Sequence, residues 1–404
     1  MEANGRGPAS FGTGQGLRAG IAGPIICDGS AWAYHATPPI LRESSLSPEE
    51  VGLPRLRSNA REVDARIRER LLTDLKGVPH PVDVMVGKGV NRRPSDLVRA
   101  RIVPADLDPA DVMALPGGIG VLTPLAALFY MADEVPPELL ALMMMEGMGI
   151  YAIHHETDRS SAALSGLLAN GAISSRGQSV RADHIREFRD PEGRIASFTT
   201  RSGSEIPWEL AFDRFDRPTE HWKRAPLFSL EELRLFASSH AGKRGARRFN
   251  RAVSCARDGA ASVLEAKALL LLSGSTWIGG EGLPWPELNV RIDFDEQARL
   301  LAGGRYCSAD QLWRERRLIV EVNGKAFHAD RQGFSLQSGR TAALRSMGYE
   351  VLDINYEQIS DLSKFESMVE MIARALGERL KKRTPAFLRR RERLHKILFP
   401  HGKR

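Results

Sequence analysis

The chain has 404 residues, more than one ordinary domain, and its 42% hydrophobic and 26% charged content is that of a globular protein able to bury a core. Its longest apolar run, Leu139 to Ile153, is broken by Glu146 and falls short of the roughly 20 residues a spanning helix needs. The N-terminus has no basic region leading into an apolar one, so neither a membrane span nor a secretory signal is expected.

Three cysteines, Cys27, Cys255 and Cys307, are too far apart for a zinc motif and odd in number for a disulfide framework, which points to buried thiols and a cytoplasmic location. The net charge of +7 is uneven: residues 377–404 carry eleven Lys/Arg against two Asp/Glu, and the rest of the chain is slightly acidic. Such a basic tail suits contact with phosphates, and it equally suits a solvated helix end.

Residues 1–45 are rich in Gly, Ala, Ser and Pro and are expected to be loosely ordered. The run Gly12–Gly16 lacks the Gly-Lys-Ser/Thr of a phosphate loop. A helix start is expected at Ser47-Pro48-Glu49-Glu50, and helical spacing continues over 60–75. Strands are predicted at Val82–Val86, Arg99–Val103 and Gly120–Leu122, with helices at about 124–132 and 136–147. Residues 46–225 thus read as an α+β domain without a chemical motif. The tandem His154-His155, with Glu156 and Asp158, is expected to be loop polarity, because neighbouring residues on a strand face opposite ways. Residues 226–260 read as a basic helical connector, opened by a capping box at Ser229 and Glu232 and carrying an amphipathic basic stretch from Lys243 to Arg257.

From residue 261 to 376 the predicted order is α-β-β-β-α-β-α. A helix covers Ala261–Leu272, and strands cover Leu288–Phe294, Arg305–Trp313 and Arg317–Val322. Beyond the turn at Asn323-Gly324 comes a helix ending at Gly348, then a strand from Tyr349 to Asn355 and a helix from Glu357 to Arg379. Asp310 is expected to close one strand. Glu321 lies inside the apolar strand Ile319, Val320, Val322, where an ionised carboxylate is costly unless compensated. A hairpin would bring the two side by side, a hard oxygen site suited to Mg²⁺ or Mn²⁺.

Four blocks carry a resemblance: Ala261-Ser262-Val263-Leu264-Glu265, Gly282-Leu283-Pro284-Trp285-Pro286-Glu287, Ala309-Asp310-Gln311-Leu312-Trp313, and Ile319-Val320-Glu321-Val322-Asn323-Gly324 followed by His328. Arg340, Leu344, Gly348-Tyr349 and Val351-Leu352 also fit. In order and spacing they resemble nucleases related to very-short-patch-repair endonucleases, within the PD-(D/E)xK superfamily. The region from about Val82 to Ala256 resembles the antitoxin-type (abortive-infection) domains often attached to such nucleases in actinobacteria. The resemblance implies an α/β, restriction-endonuclease-like mixed sheet flanked by helices behind the α+β domain, and an Mg²⁺-dependent endonuclease acting on DNA in repair or in defence against mobile elements. It implies that Asp310 and Glu321 bind the metal, that Glu265 adds a third acid, and that His328 handles a proton or a phosphate oxygen. Ser262 and Glu265 also fit a capping box, which needs no metal.

The chain departs from the superfamily at its lysine position, which here is Asn323; Lys325 lies two residues farther on. Gln337 stands where relatives carry Asp. Two other readings therefore remain open: a DNA-binding or antitoxin-like regulator with a degenerate nuclease domain, and a structural role for the carboxylates, with Glu321 paired to an arginine such as Arg340.

Overall fold

A computed structural model describes residues 23–45, 52–56, 58, 60–173, 185–189, 195–200, 208–213, 215–324 and 331–400. The Gly12–Gly16 run and the Ser47-Pro48 helix start lie outside them, as do Lys325 and His328.

Order begins earlier than the composition implied. Strand β1 (Ile25–Ile26) is followed by helices α1 (Asp28–Ala36), α2 (Pro39–Glu43) and α3 (Glu62–Leu72). Strands β2 (Val82–Val86), β3 (Val98–Ile102), β4 (Val112–Leu115) and β5 (Ile119–Leu122) complete a sheet in the order β3-β2-β1-β5-β4. The two isoleucines of β1 fill the centre of that sheet, antiparallel to β2 and parallel to β5. The expectation of loose order is therefore corrected for residues 23–45: two consecutive buried Ile side chains suffice to fix a strand that too few residues surround to show a period.

Helices α4 (Pro124–Met131) and α5 (Pro137–Met148) carry the long apolar run, with strand β6 (Tyr151–Ile153) after it. No helix among the described residues is long and apolar enough to cross a membrane. Helix α6 (Asp158–Ala169) precedes a hairpin of β7 (Ile185–Arg189) and β8 (Ile195–Thr200), and strands β9 (Glu209–Phe212) and β10 (Pro218–Lys223) join β6 in a second sheet. His154 is buried at the end of β6 while His155 is exposed beside Glu220. The tandem pair is thus split between interior and surface.

The connector comprises α7 (Leu230–Ser239), opened by the expected Ser229–Glu232 capping box, and α8 (Ala246–Cys255). Phe249, Ala252 and Cys255 form the buried stripe of α8, while its arginines point outward. Helix α9 (Val263–Ser273) follows, then β11 (Glu287–Asp293), α10 (Glu296–Ala302), β12 (Tyr306–Trp313) and β13 (Leu318–Asn323). Helix α11 (Arg331–Ser346), strand β14 (Glu350–Asn355) and helices α12 (Tyr356–Ser360) and α13 (Leu362–Leu376) complete the unit. The single helix expected from Glu357 onward is two, because Asp361 turns its carboxylate onto the amides of Ser363 and Lys364 and starts a new helix there. The short α10 also went unforeseen.

The third sheet runs β11-β12-β13-β14, antiparallel except for the parallel pair β13–β14. The architecture is mixed α/β, as expected. One continuous core joins α5, α8, α9 and α13 to one face of this sheet.

Half of the basic tail belongs to that core. Helix α14 (Pro385–Leu398) starts from a Thr384 cap with proline at its first turn, and it buries Phe387, Leu394 and Leu398. Arg383 and Arg391 pair with the buried Glu281, and Arg393 with Glu138 of α5. Leu394→Ala removes a fully buried side chain, so it should lower stability by about 2–5 kcal/mol, measured as a shift of the urea midpoint. A midpoint unchanged by the substitution would show that α14 is not docked.

Candidate active site

The site is assembled on the central strands β12 and β13 of the third sheet, with contributions from α9 and the edge strand β14. In the β12–β13 ladder Gln311 lies opposite Val320 and Leu312 opposite Ile319, so the next step sets Asp310 beside Glu321. Asp310 lies inside β12, which continues to Trp313; the expectation that it closes a strand is corrected. Its Oδ2 accepts the Val322 amide at 2.8 Å, tying its carboxylate to the neighbouring strand. The Asp310 charge therefore acts directly on Glu321.

Glu265 enters from the first turn of α9. Ser262 accepts the Glu265 amide at 3.2 Å, half of the expected capping box. The other half is altered: the Glu265 carboxylate accepts the Ala261 amide at 2.9 Å and the Asn289 side-chain amide at 2.6 Å. Asn289 sits in β11 across from Asp310 in the register, with a left-handed φ of 49°, a conformation that asparagine tolerates better than most residues. Asp310 is thus the neighbour of both Glu265, from a distant part of the chain, and Glu321, from the adjoining strand.

Two further residues were not assigned to the site from sequence. Asp353 of β14 lies beside Glu321 in the parallel ladder, and its carboxylate accepts the Asn323 amide at 3.2 Å. The position two after Glu321 therefore lacks a charge of its own but borrows one from the next strand. A signal existed, because Asp353 is the acid in the middle of the strand Val351, Leu352, Ile354; only the parallel pairing of β13 with β14, invisible in spacing, places it here. The second residue is Arg340 of α11, foreseen as a possible structural partner. Its guanidinium donates to Glu321 Oε1 at 2.6 Å and also to the Ser308 carbonyl. Gln337 falls on the same helix.

The electrostatics are those of a site short of positive charge. Burial pushes Glu321 up to about 8; the adjacent Asp310 charge adds to this and Arg340 opposes it. Burial and the Asp310 charge likewise push Glu265 up to about 8. Asp310 is also raised, mainly by burial and against the Val322 amide and Arg340. Among the described residues one guanidinium faces these acids. Among the described residues, the buried Ser308 hydroxyl and both polar atoms of the fully buried Gln311 amide, two before and one after Asp310 in β12, have no hydrogen-bond partner.

Among the described residues, no three His, Cys, Asp or Glu side chains are arranged to surround a metal ion. The donor chemistry nonetheless fits a hard divalent cation: Mg²⁺ keeps several waters and takes only one or two carboxylates, which Asp310 and Glu321 would supply on giving up their protons. Compared with protein families, curated proteins and solved structures, the chain matches none.

These carboxyls bind protons in the folded state that the unfolded chain has already released. Their stabilising contribution is therefore fully present below about pH 4.5 and is lost as pH rises toward about 8. The melting temperature of the metal-free protein should fall between about pH 5.5 and 8.5, and Glu321→Gln should flatten that fall. A wild-type melting curve independent of pH over this range would contradict the buried, protonated cluster.

Proposed function

We propose that this chain is a divalent-cation-dependent endonuclease that hydrolyses phosphodiester bonds in DNA, in repair or in defence against mobile elements. The observation that carries this reading is the placement of Asp310 beside both Glu265 and Glu321, with Asp353 beside Glu321 and a deficit of positive charge among them. Asp310 and Glu321 would hold the cation. Bound there, it would lower the pKa of a coordinated water and stabilise the leaving oxygen. Glu265, fixed by Asn289 and the Ala261 amide, stands behind the pair as a proton-holding group. Arg340 orients the Glu321 carboxylate through its Oε1. Asn323 fixes Asp353 at the rim. The three free, buried cysteines fit a reducing compartment, and we assign the protein to the cytoplasm.

The Arg340–Glu321 ion pair and the amide at Asn323 favour a second reading, a DNA-binding regulator whose nuclease site has lost its strength. Supercoiled plasmid incubated with Mg²⁺, Mn²⁺ or chelator separates the two. The nuclease reading requires nicking that depends on the metal and disappears in Glu321→Ala. Absence of nicking beside a salt-sensitive gel shift establishes the regulator instead. In an active enzyme, Asp353→Asn should lower cleavage about 10–100-fold, the scale for loss of a group that supports metal ligands, with recovery at higher Mn²⁺. Equal rates for Asp353→Asn and wild type would remove Asp353 from the site.

A further inference from the structure

At the opposite end of α9 from Glu265, about 12 Å along the helix axis, the loop 274–286 holds Trp277 with 75% of its surface exposed. This is not a loose loop tip. The Gly280 amide bonds back to Ser275, the Gly282 amide to Gly274 and the Leu283 amide to Leu272, within 3.2 Å in each case. Glu281 is buried beneath it, held by Arg383 at 2.6 Å and Arg391 at 3.5 Å. At Gly279, with φ of 103°, any side chain would collide with the Arg390 backbone, so the loop lies directly on α14. Arg390 returns the contact: its Nε donates to the Thr276 carbonyl at 3.0 Å, and its guanidinium lies 5.5 Å from the Trp277 ring centroid.

A rigid loop therefore presents an indole to solvent, one face toward an arginine. Lys381 lies against Gly282 of the same loop, and Arg379, Lys382 and Arg389 are exposed in the same stretch of chain as Lys381 and Arg390; none of the four makes an ion pair among the described residues. Exposed aromatic surface set among unpaired cations is what unpaired nucleobases on a polyphosphate strand require: a π-face for the base, a guanidinium to complete the stack, and ammonium groups for the phosphates. A duplex offers the phosphates but keeps its base faces stacked away. An acidic protein surface would use the cations and leave the indole idle.

We propose that Trp277 and Arg390, with the cations of residues 379–389, form a stacking platform for a single-stranded nucleic acid segment, separate from the carboxylate cluster. A strand of several nucleotides would span from the platform to the carboxylate end of α9.

The test is fluorescence anisotropy with the full chain in chelator, on the Glu321→Gln background, so that cleavage plays no part. The probes are labelled DNA and RNA single strands of about 16 nucleotides and the matching DNA duplex. Trp277→Ala should weaken single-strand binding about tenfold, leave duplex binding nearly unchanged, and preserve the melting temperature. Trp277→Phe should retain most of the affinity. Lys381→Glu with Lys382→Glu should weaken all probes and flatten the dependence on salt between about 50 and 200 mM. A loss confined to the DNA or to the RNA strand supports the platform and names its strand. Single-strand binding unchanged in Trp277→Ala, or weakened no more than duplex binding, would overturn the proposal. Because these measurements need no metal, they stand whether or not the plasmid is nicked.

Discussion

Placing several carboxylates together inside a protein is electrostatically expensive, and the C-terminal unit is organised around that expense. Burial raises the pKa of Glu265, Asp310 and Glu321, and the Asp310 charge raises both glutamates further. The surroundings give only partial relief. One guanidinium meets Glu321, one backbone amide meets Asp310, and one amide with one asparagine meets Glu265. An isolated buried ion pair would be balanced by charge, and the Arg340–Glu321 pair taken alone would fit a structural role. The additional acids of Asp310, Glu265 and Asp353 go beyond such a pair, and their common location is what supports the proposed metal site.

The fold supplies the positions. The antiparallel β12–β13 pair fixes Asp310 against Glu321, the parallel β13–β14 pair adds Asp353, and α9 brings Glu265 in through its first turn. The core continues without a break from α9 to α5 and α14, so the scaffold behind the carboxylates also holds the Trp277 loop. Support of this kind comes from rigid elements rather than loops, which suits a site whose groups must keep their spacing.

Much of the C-terminal unit was legible in the sequence, because its strands are short apolar runs with single acids set inside them and its helices carry caps. Glu321 stood out as a carboxylate among branched apolar residues, and the hairpin spacing led to Asp310. Asp353 did not, since parallel pairing leaves no spacing to read. The altered role of Glu265 depended on Asn289, whose left-handed backbone has no sequence signature in a strand. Composition misled at both ends: the Gly- and Ala-rich beginning conceals β1 and α1, and the basic tail conceals a docked helix whose apolar stripe, Phe387, Leu394 and Leu398, is outnumbered by its arginines. His328 and Lys325 fall outside the described residues.

The central claim, that the buried acids are arranged for a divalent cation, is tested most directly by calorimetric titration of the metal-free protein with Mn²⁺ near pH 7.5, in buffers of different ionisation enthalpy. Binding to the wild type with release of protons from the raised carboxyls, lost in Glu321→Gln, is the expected result. No binding, or binding that Glu321→Gln leaves intact, would contradict it.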